Sequence, residues 1–209
     1  MLSQDYRGHT AREVANGEAI HAFYELDGKI FEAYERFDGP RDANGQRSGQ
    51  GKLYRKKEGY ESKEYLFYKG IFKNNQFHGA GTLYWEESDE IMRYSGRFRS
   101  GLRHGRGAEY NEQGILIYQG VYRSDRREGI GNEYFVDEGK TEHTLLYSGE
   151  FVRGARHGFG VCYMGLGHTY IGGYVDGKMN GIGIYVQPNK DLFEGTLFEI
   201  SLFSIYPLL

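Results

Sequence analysis

Aromatic residues and glycine alternate in a pattern that recurs along the chain. The order is aromatic, any residue, glycine, any residue, aromatic, and it begins at Tyr68, Tyr94, Tyr118, Tyr147 and Tyr170. Because side chains i, i+2 and i+4 of a strand lie on one face, each copy predicts a β-strand with two rings on the same side. A sixth copy begins at Phe193 and stops after Leu197.

The glycines that follow keep a fixed spacing. In all five copies a second glycine lies nine residues after the first, and a third lies two residues further on. The centre of this span is a residue pair that tolerates positive φ, as a two-residue hairpin turn requires. The pairs are Asn74-Asn75, Ser100-Gly101, Ser124-Asp125, Arg153-Gly154 and Asp176-Gly177. Each copy therefore predicts one β-hairpin, and the variable lengths between copies predict loops.

The copies define the expected architecture. Five full repeats fill residues 68–186, a degraded repeat lies at 31–54, and a terminal half repeat lies at 193–198. Together they predict a repeat array over residues 21–198. The predicted fold is all-β, an elongated, single-layer, twisted antiparallel sheet of tandem hairpins.

The two ends of the chain carry weaker patterns. Thr10-Ala-Arg-Glu13 has the spacing of a capping box, so residues 1–20 are interpreted as a short helix or a tail. Residues 199–209 are apolar but too few to span a membrane, which takes about 20. They are interpreted as a cap over the last hairpin, with docking of a partner as the alternative.

Composition excludes several classes of protein. The 209 residues include 32 glycines and 19 tyrosines but 3 prolines, which fits neither a disordered linker nor collagen. A net charge of −3 argues against a nucleic-acid-binding protein. The single cysteine, Cys162, excludes an internal disulfide and favours a reducing compartment. The first twenty residues lack an apolar run, so we expect no signal peptide, and no run is long enough to predict a spanning helix.

The repeat unit resembles the MORN repeat, in which Tyr-x-Gly-x-Trp/Phe is followed by His-Gly-x-Gly. The second half is complete after His78, His104 and His157, whereas Glu128 and Asn180 replace the histidine. The resemblance covers residues 20–198. It implies a scaffold on cytoskeletal, ciliary or cortical membrane structures, with a partner helix bound in the groove of the sheet in some members. Phosphoinositide binding is also attributed to the family.

No arrangement of residues indicates catalysis. No serine occupies a nucleophile elbow, and the Gly-x-Gly pairs recur in every repeat without a following helix to bind phosphate. Equivalent histidines in adjacent hairpins would lie about 9.5 Å apart, too far to share one metal ion. We therefore expect a protein that is not an enzyme, with no cofactor and no metal.

Positive charge is concentrated in residues 93–127. If equivalent positions stack along the sheet, Arg99 and Arg123 form one column, and Arg103 and Arg127 form another with Arg156. One interpretation is a basic rim that meets an acidic partner or lipid headgroups. The other is a solvated edge that prevents aggregation of strands. The sequence alone leaves both open.

These patterns predict a binding site on the face that carries the repeat aromatic residues. A single layer cannot cover both of its faces, so we expect exposed rings that bind an elongated or helical protein partner, with arginines beside them. The opposite face, with Tyr84, Tyr110 and Tyr134, is the alternative. The predicted function is a non-enzymatic scaffold or adaptor in the cytoplasm, and the alternative is a peripheral membrane module that binds phosphoinositides. The predicted partner-binding residues are Tyr94, Phe98, Tyr118, Tyr122, Tyr147, Phe151, Arg99, Arg103, Arg123 and Arg127.

Overall fold

The computed structural model contains strands and turns in every segment that it describes. It describes the backbone of residues 3–4, 10–16, 19–26, 29–56, 64–86, 90–137, 139 and 141–200, and side chains within these ranges from residue 34 to residue 197. No α-helix occurs in these segments. The all-β fold of tandem antiparallel hairpins predicted from the sequence is confirmed.

The chain divides into two compact units, and the first comprises residues 1–101. Its eight described strands pair antiparallel in chain order, each with the next. The strands are β1 (Ser3–Gln4), β2 (Thr10–Asn16), β3 (Ala19–Leu26), β4 (Lys29–Asp38), β5 (Gly49–Lys56), β6 (Glu64–Lys73), β7 (Gln76–Tyr84) and β8 (Met92–Arg99).

The second unit comprises residues 102–209 and is built in the same way. Its eight described strands also pair antiparallel in chain order. The strands are β9 (Leu102–Tyr110), β10 (Leu116–Arg123), β11 (Arg126–Val136), β12 (His143–Val152), β13 (Ala155–Tyr163), β14 (Thr169–Val175), β15 (Lys178–Val186) and β16 (Leu192–Ile200).

The interpretation of residues 1–20 as a tail or short helix needs correction over Thr10–Asn16. These residues form β2, which pairs with β3 over six residue pairs from Ala11↔Tyr24 to Asn16↔Ala19. A capping motif of this kind stabilises a helix by about 1 kcal/mol, and a short helix is marginal without packing. The neighbouring strand satisfies the backbone of β2 instead. The predicted cap lies outside the described residues from position 201 onward.

The predicted hairpin turns are confirmed. All five pairs lie between strands, and the first glycine of each repeat lies within a strand. Positive φ at both residues is the geometry of a type I′ turn, whose twist matches that of the flanking strands. The φ values are 52° and 64° at Asn74-Asn75, 51° and 83° at Ser100-Gly101, 49° and 66° at Ser124-Asp125, 52° and 93° at Arg153-Gly154, and 48° and 84° at Asp176-Gly177.

Each turn is tied to an earlier hairpin of its unit by one backbone hydrogen bond. The N–H of the second turn residue donates to a carbonyl oxygen just past an earlier turn, as from Asp125 to Arg103 at 3.1 Å. The same bond runs from Gly154 to Arg127 and from Gly177 to Arg156, both at 2.9 Å. Successive hairpins are thereby held in a fixed register at their turn ends.

A bulge explains the second glycine of each repeat. In the hairpin of β10 and β11, Gly120 pairs with Gly131 and Tyr122 with Arg127, so the returning strand contains two extra residues. The second glycine, Gly129, lies in this bulge with a φ of 66°. Left-handed backbone is costly for other residues but accessible to glycine, so the bulge favours glycine at this position.

The first and third glycines make room for the tyrosine of their own repeat. The ring of Tyr147 lies across Gly149 and Gly160, which are paired in adjacent strands. The Tyr147 hydroxyl then donates a hydrogen bond to the Glu150 carbonyl oxygen at 3.1 Å. The same bond, from tyrosine to the residue three positions later, occurs at Tyr68, Tyr94, Tyr118 and Tyr170. We call the side of each unit that carries these tyrosines the tyrosine face.

Candidate functional site

The six aromatic residues of the predicted site lie on the tyrosine face and are buried. Their exposed fractions are between 0% and 3%, so a partner could not reach them without rearrangement of the fold. The expectation of an exposed aromatic groove at these residues is therefore wrong. The six are Tyr94, Phe98, Tyr118, Tyr122, Tyr147 and Phe151.

Contacts between neighbouring repeats explain this burial. Phe151 packs edge-on against Tyr118 of the preceding repeat, with ring centroids 5.2 Å apart, and against Tyr147 of its own repeat at 5.3 Å. Tyr147 in turn packs against Tyr174 of the next repeat at 5.1 Å. The rings thus cover one another and the glycines beneath them, and this packing forms the core of a single-layer sheet.

Burial keeps the tyrosine hydroxyls protonated. It raises the pKa of Tyr118 and of Tyr147 to about 12, because the phenolate would lose its hydration. The hydroxyls are therefore donors at any physiological pH. They serve the hydrogen bonds to the backbone described above and are unsuited to acid–base chemistry.

Two of the predicted arginines belong to a ladder of ion pairs on the tyrosine face. Glu109 accepts hydrogen bonds from Arg103 Nη1 at 3.1 Å, Arg127 Nη2 at 3.0 Å and the Tyr122 hydroxyl at 2.9 Å. The ladder continues through Glu133, which accepts from Arg127 Nη1 at 3.2 Å and from Arg156 Nη2 at 2.6 Å. We call these five charged residues, Arg103, Glu109, Arg127, Glu133 and Arg156, the ion ladder.

The ion ladder lies directly over the buried rings. The guanidinium of Arg127 stands 4.3 Å from the ring centroid of Tyr118, and that of Arg103 stands 4.7 Å from that of Tyr122. Burial of Glu109 would by itself raise its pKa, but the charges of Arg103 and Arg127 outweigh it and lower the pKa. Arg103 and Arg127 are thus engaged within the fold, and their expected role toward an acidic partner stays a prediction.

The remaining two predicted arginines lie on the opposite face. Arg99 follows Phe98 and Arg123 follows Tyr122 in regular strands, so both side chains point away from the rings. Both are exposed, and no ion pair joins either of them to another described residue. The ten predicted residues therefore fall into two sets. Arg99 and Arg123 are exposed, Arg103 and Arg127 are partly exposed, and the six rings are buried.

One strand position that is exposed in all five repeats was not selected by the sequence analysis. It is the middle residue of each Gly-x-Gly, which the bulge directs away from the tyrosine face. The sequence feature that could have revealed this position is that the residue type varies between two glycines that do not. The residues at this position, all exposed, are Ala80, Arg106, Ile130, Phe159 and Ile182.

In the second unit this position forms an apolar stripe. Ile130, Phe159 and Ile182 are 64%, 59% and 80% exposed, which is unusual for large apolar side chains in successive repeats. On the same face the half-buried Val161 and Ile171 occupy paired positions in β13 and β14. We call Ile130, Phe159 and Ile182 the apolar stripe.

Comparison with protein families identifies the repeat. The MORN repeat model matches residues 43–59, 68–89, 94–112, 118–140, 147–165 and 170–192, which together make up more than half of the chain. The chain belongs to the MORN repeat family. MORN repeats are binding modules, associated with protein or membrane-lipid interactions, and are not catalytic. A search of the curated proteins finds no match.

The histidine position of the MORN repeat faces the next turn. His157 Nδ1 lies 3.9 Å from the Asp176 carboxylate of the following turn. At the same position in the preceding repeat, the Glu128 carboxylate accepts a hydrogen bond from the backbone N–H of Arg153 at 3.1 Å. Across the described part of the chain, no group of three or more histidine, cysteine or acidic residues could hold a metal ion. In the same residues no helix is long and apolar enough to cross a membrane.

Proposed function

We propose that this MORN-repeat chain is a non-enzymatic scaffold that binds a protein partner along the apolar stripe of its second unit. The observation that carries the proposal is the contrast between the two faces. The tyrosine face buries its large rings within the array, whereas Ile130, Phe159 and Ile182 expose more than half of their surface. Exposed apolar residues that recur in register typically mark an interaction site.

The spacing of the stripe favours a helical partner. Equivalent positions in successive hairpins are two strands apart, about 9.5 Å. A helix advances about 10.5 Å in seven residues, so a helix with an apolar residue at every seventh position matches this spacing closely. Glu150 lies between Ile130 and Phe159. Its carboxylate accepts a hydrogen bond from the backbone N–H of Phe159 at 3.2 Å, so this charge is already engaged within the chain. We therefore propose an amphipathic helix laid across the strands.

The test compares a double variant of the stripe with a matched control. Phe159→Ser with Ile182→Ser removes two of the three apolar side chains of the stripe, and Phe135→Ser removes a similarly exposed ring, 51% accessible, outside it. All three side chains are exposed, so we expect unfolding midpoints close to that of the parent chain. Tagged chains are used to capture proteins from cells, and the captured proteins are quantified. We expect the stripe variant to lose partners that the control retains. Equal recovery by both variants would remove the stripe from the proposal.

A second candidate is binding to anionic lipids through exposed arginines. Arg123 and Arg126 are paired across a turn and both are exposed on the opposite face. Cationic side chains near an anionic membrane each contribute about 1 kcal/mol. Sedimentation with vesicles that contain phosphoinositides tests this candidate. Loss of vesicle binding in Arg123→Ala with Arg126→Ala, together with normal recovery of protein partners by the stripe variant, would favour the lipid function.

The proposed location is the cytoplasm, on cytoskeletal or ciliary structures. Family membership supports this proposal, and so does a composition without a disulfide framework. Fluorescent tagging of the chain in its own cells tests it. We expect signal along filaments or cilia, and diffuse signal that washes out after permeabilisation would contradict it.

A further inference from the structure

The opposite face of the first unit contains an open groove of about 440 Å³. Strands β5 to β8 form its walls. The side chains that line it are polar or basic, apart from the methyl group of Ala80 and the ring of Tyr84, in contrast to the apolar stripe of the second unit. We call the following six residues the basic groove: Gln50, Lys69, Ala80, Thr82, Ser95 and Arg97.

The pairing of strands β5 to β8 places basic side chains next to the hydroxyl side chains of serine and threonine, in rows that run across the strands. Lys69 pairs with Lys52 in β5 and with Thr82 in β7, and Thr82 pairs with Ser95 in β8. In the adjacent row Arg97 pairs with Ala80, whose small side chain leaves space beside the guanidinium. Each cation therefore has a hydroxyl or a free volume beside it, an arrangement that suits an anion.

The cations on this face outnumber the carboxylates of the described strands beside them. Asp38 occupies the position paired with Lys52, and Glu64 is already bound to Arg36 at 2.9 Å. No ion pair joins any of the cations to a described residue. They are Lys52, Lys69, Lys73, Arg97 and Arg99.

The tyrosine face of the same unit shows the opposite arrangement. There Arg47 and Arg55 are both bound to Glu35, with N–O distances of 2.9 Å and 2.6 Å. Arg47 and Arg55 thus have a carboxylate partner, whereas the five cations of the opposite face named above have none among the described residues. Charge that is left uncompensated on one face is electrostatically complementary to an acidic ligand.

We propose that the basic groove binds an acidic, extended segment of a protein partner. Carboxylates of the segment pair with Lys69 and Arg97 and accept hydrogen bonds from the Thr82 and Ser95 hydroxyls. The row from Lys52 to Ser95 covers three strand spacings, about 14 Å, which an extended segment of about four residues spans. This site goes beyond the proposed function, because it lies in the other unit and selects charge instead of apolar surface.

The recessed position of the Thr82 and Ser95 hydroxyls in the groove favours a protein segment over a membrane as the ligand. Lys69 and Arg97 are exposed, but Thr82 and Ser95 are half-buried between the strands that carry them. Attraction to an anionic bilayer requires only the exposed cations. A ligand that also satisfies the recessed hydroxyls must enter the groove, as a carboxylate side chain on an extended chain does.

The test uses fluorescein-labelled decaglutamate as the probe and decaglutamine as its neutral counterpart. Binding to the full chain is followed by fluorescence anisotropy over a range of salt concentrations. The groove variant is Lys69→Glu with Arg97→Glu, and the control is Arg106→Glu with Arg153→Glu, which reverses two exposed arginines of the second unit. All four side chains are exposed, so each variant retains the fold.

We expect the parent chain to bind decaglutamate but not decaglutamine, with an affinity that falls as salt increases. The groove variant should bind about tenfold more weakly, and the control should change by less than about twofold. Amide resonances of Thr82 and Ser95 should shift with decaglutamate. An equal loss in both variants, or no binding by the parent chain, would overturn the proposal.

Vesicles that contain phosphatidylserine distinguish a membrane ligand from a protein. Vesicle binding that the groove variant alone loses, while decaglutamate binding is unchanged, would overturn the proposal in favour of a membrane. The outcome does not depend on the capture of partners by the apolar stripe. Failure of either proposal is therefore distinguishable from failure of the other.

Discussion

The ring of Tyr147 occupies the space that a side chain at Gly160 would need, because a Cβ there would lie 2.5 Å from the ring Cζ. The paired Gly149 is equally confined, since its Cβ would lie 2.6 Å from the Gly160 Cα and 2.7 Å from the Phe159 carbonyl oxygen. The tyrosine and the two glycines thus form one packing unit. The ring of Tyr147 fits there because neither glycine has a side chain.

Gly149→Val should therefore be strongly destabilising. Backbone atoms surround the new side chain, so the strand must move and the ring of Tyr147 must leave its place. Overpacking commonly costs about 1–3 kcal/mol, and we expect a loss at the upper end of this range. The free energy of unfolding in urea measures it.

The matched control is Gly195→Ala in β16. No atom lies within 4 Å of the position that a Cβ would take at Gly195, so alanine should change the free energy of unfolding by less than about 0.5 kcal/mol. If both variants unfolded at the same urea concentration, the glycine would have no role in packing.

Replacement of Arg153 by asparagine should stabilise the chain. Arg153 has a φ of 52° at the first position of its turn, and its side chain is exposed. Asparagine adopts the left-handed conformation more readily than arginine, so we expect a gain of about 0.5–1 kcal/mol, seen as a higher melting temperature. Arg126→Asn, at an exposed strand position, removes the same charge without the change in turn geometry and should give no gain. Stabilisation by both variants to the same extent would point to charge.

Glu109→Gln should destabilise the chain and change its dependence on pH. The pKa of Glu109 in the folded chain lies below its ordinary value of 4.5, since Arg103 and Arg127 outweigh the effect of burial. Its contribution to stability is therefore complete above pH 4.5 and disappears as the pH falls through the lower folded value. At neutral pH we expect the variant to lose about 1–3 kcal/mol, because two partly exposed arginines lose a charged partner.

The pH profile distinguishes this mechanism from a general loss of packing. Between about pH 5 and pH 3 the parent chain should lose stability more steeply than Glu109→Gln, which has no carboxylate to protonate at this position. Urea unfolding at a series of pH values measures both slopes. Parallel profiles would show that the ion ladder does not contribute through the charge of Glu109.

Cys162 should report the integrity of the tyrosine face. The thiol is fully buried, and burial raises its pKa. Alkylation by iodoacetamide requires an accessible thiolate, so the folded chain should react about a hundredfold more slowly than the chain in urea. Mass spectrometry measures the rate. In the control, Cys162→Ser with Val152→Cys, the new thiol lies at an exposed position and should react at similar rates in both states.

The hairpins could be predicted because their signals are local. The turn at Asn74-Asn75 and the glycine at Gly70 each depend on backbone conformation within one repeat, which residue type and spacing reveal. The bulge at Gly129 was not predicted, although its glycine was found. The two extra residues of a bulge become evident only when both strands are paired.

The site could not be predicted in the same way, since the pattern at Tyr118 and Tyr122 does not show what covers the rings. A single sheet was expected to leave them exposed, whereas Phe151 of the next repeat covers Tyr118. Arg127 was interpreted as a surface charge because Glu109 is 18 positions away in sequence, and strand register brings them into contact. Contacts between repeats therefore decided which face remained accessible.

The bond from each turn to an earlier hairpin has a consequence for how such a chain can change over evolution. Asp125 contacts the carbonyl oxygen of Arg103, and Gly177 that of Arg156, so every hairpin offers the same donor on one side and the same acceptor on the other. A duplicated or deleted hairpin would leave these links complete, and the array can change its length by whole copies. The residue between the second and third glycines travels with each copy and takes no part in the link. New specificity can therefore arise at that single codon while the inherited framework stays intact.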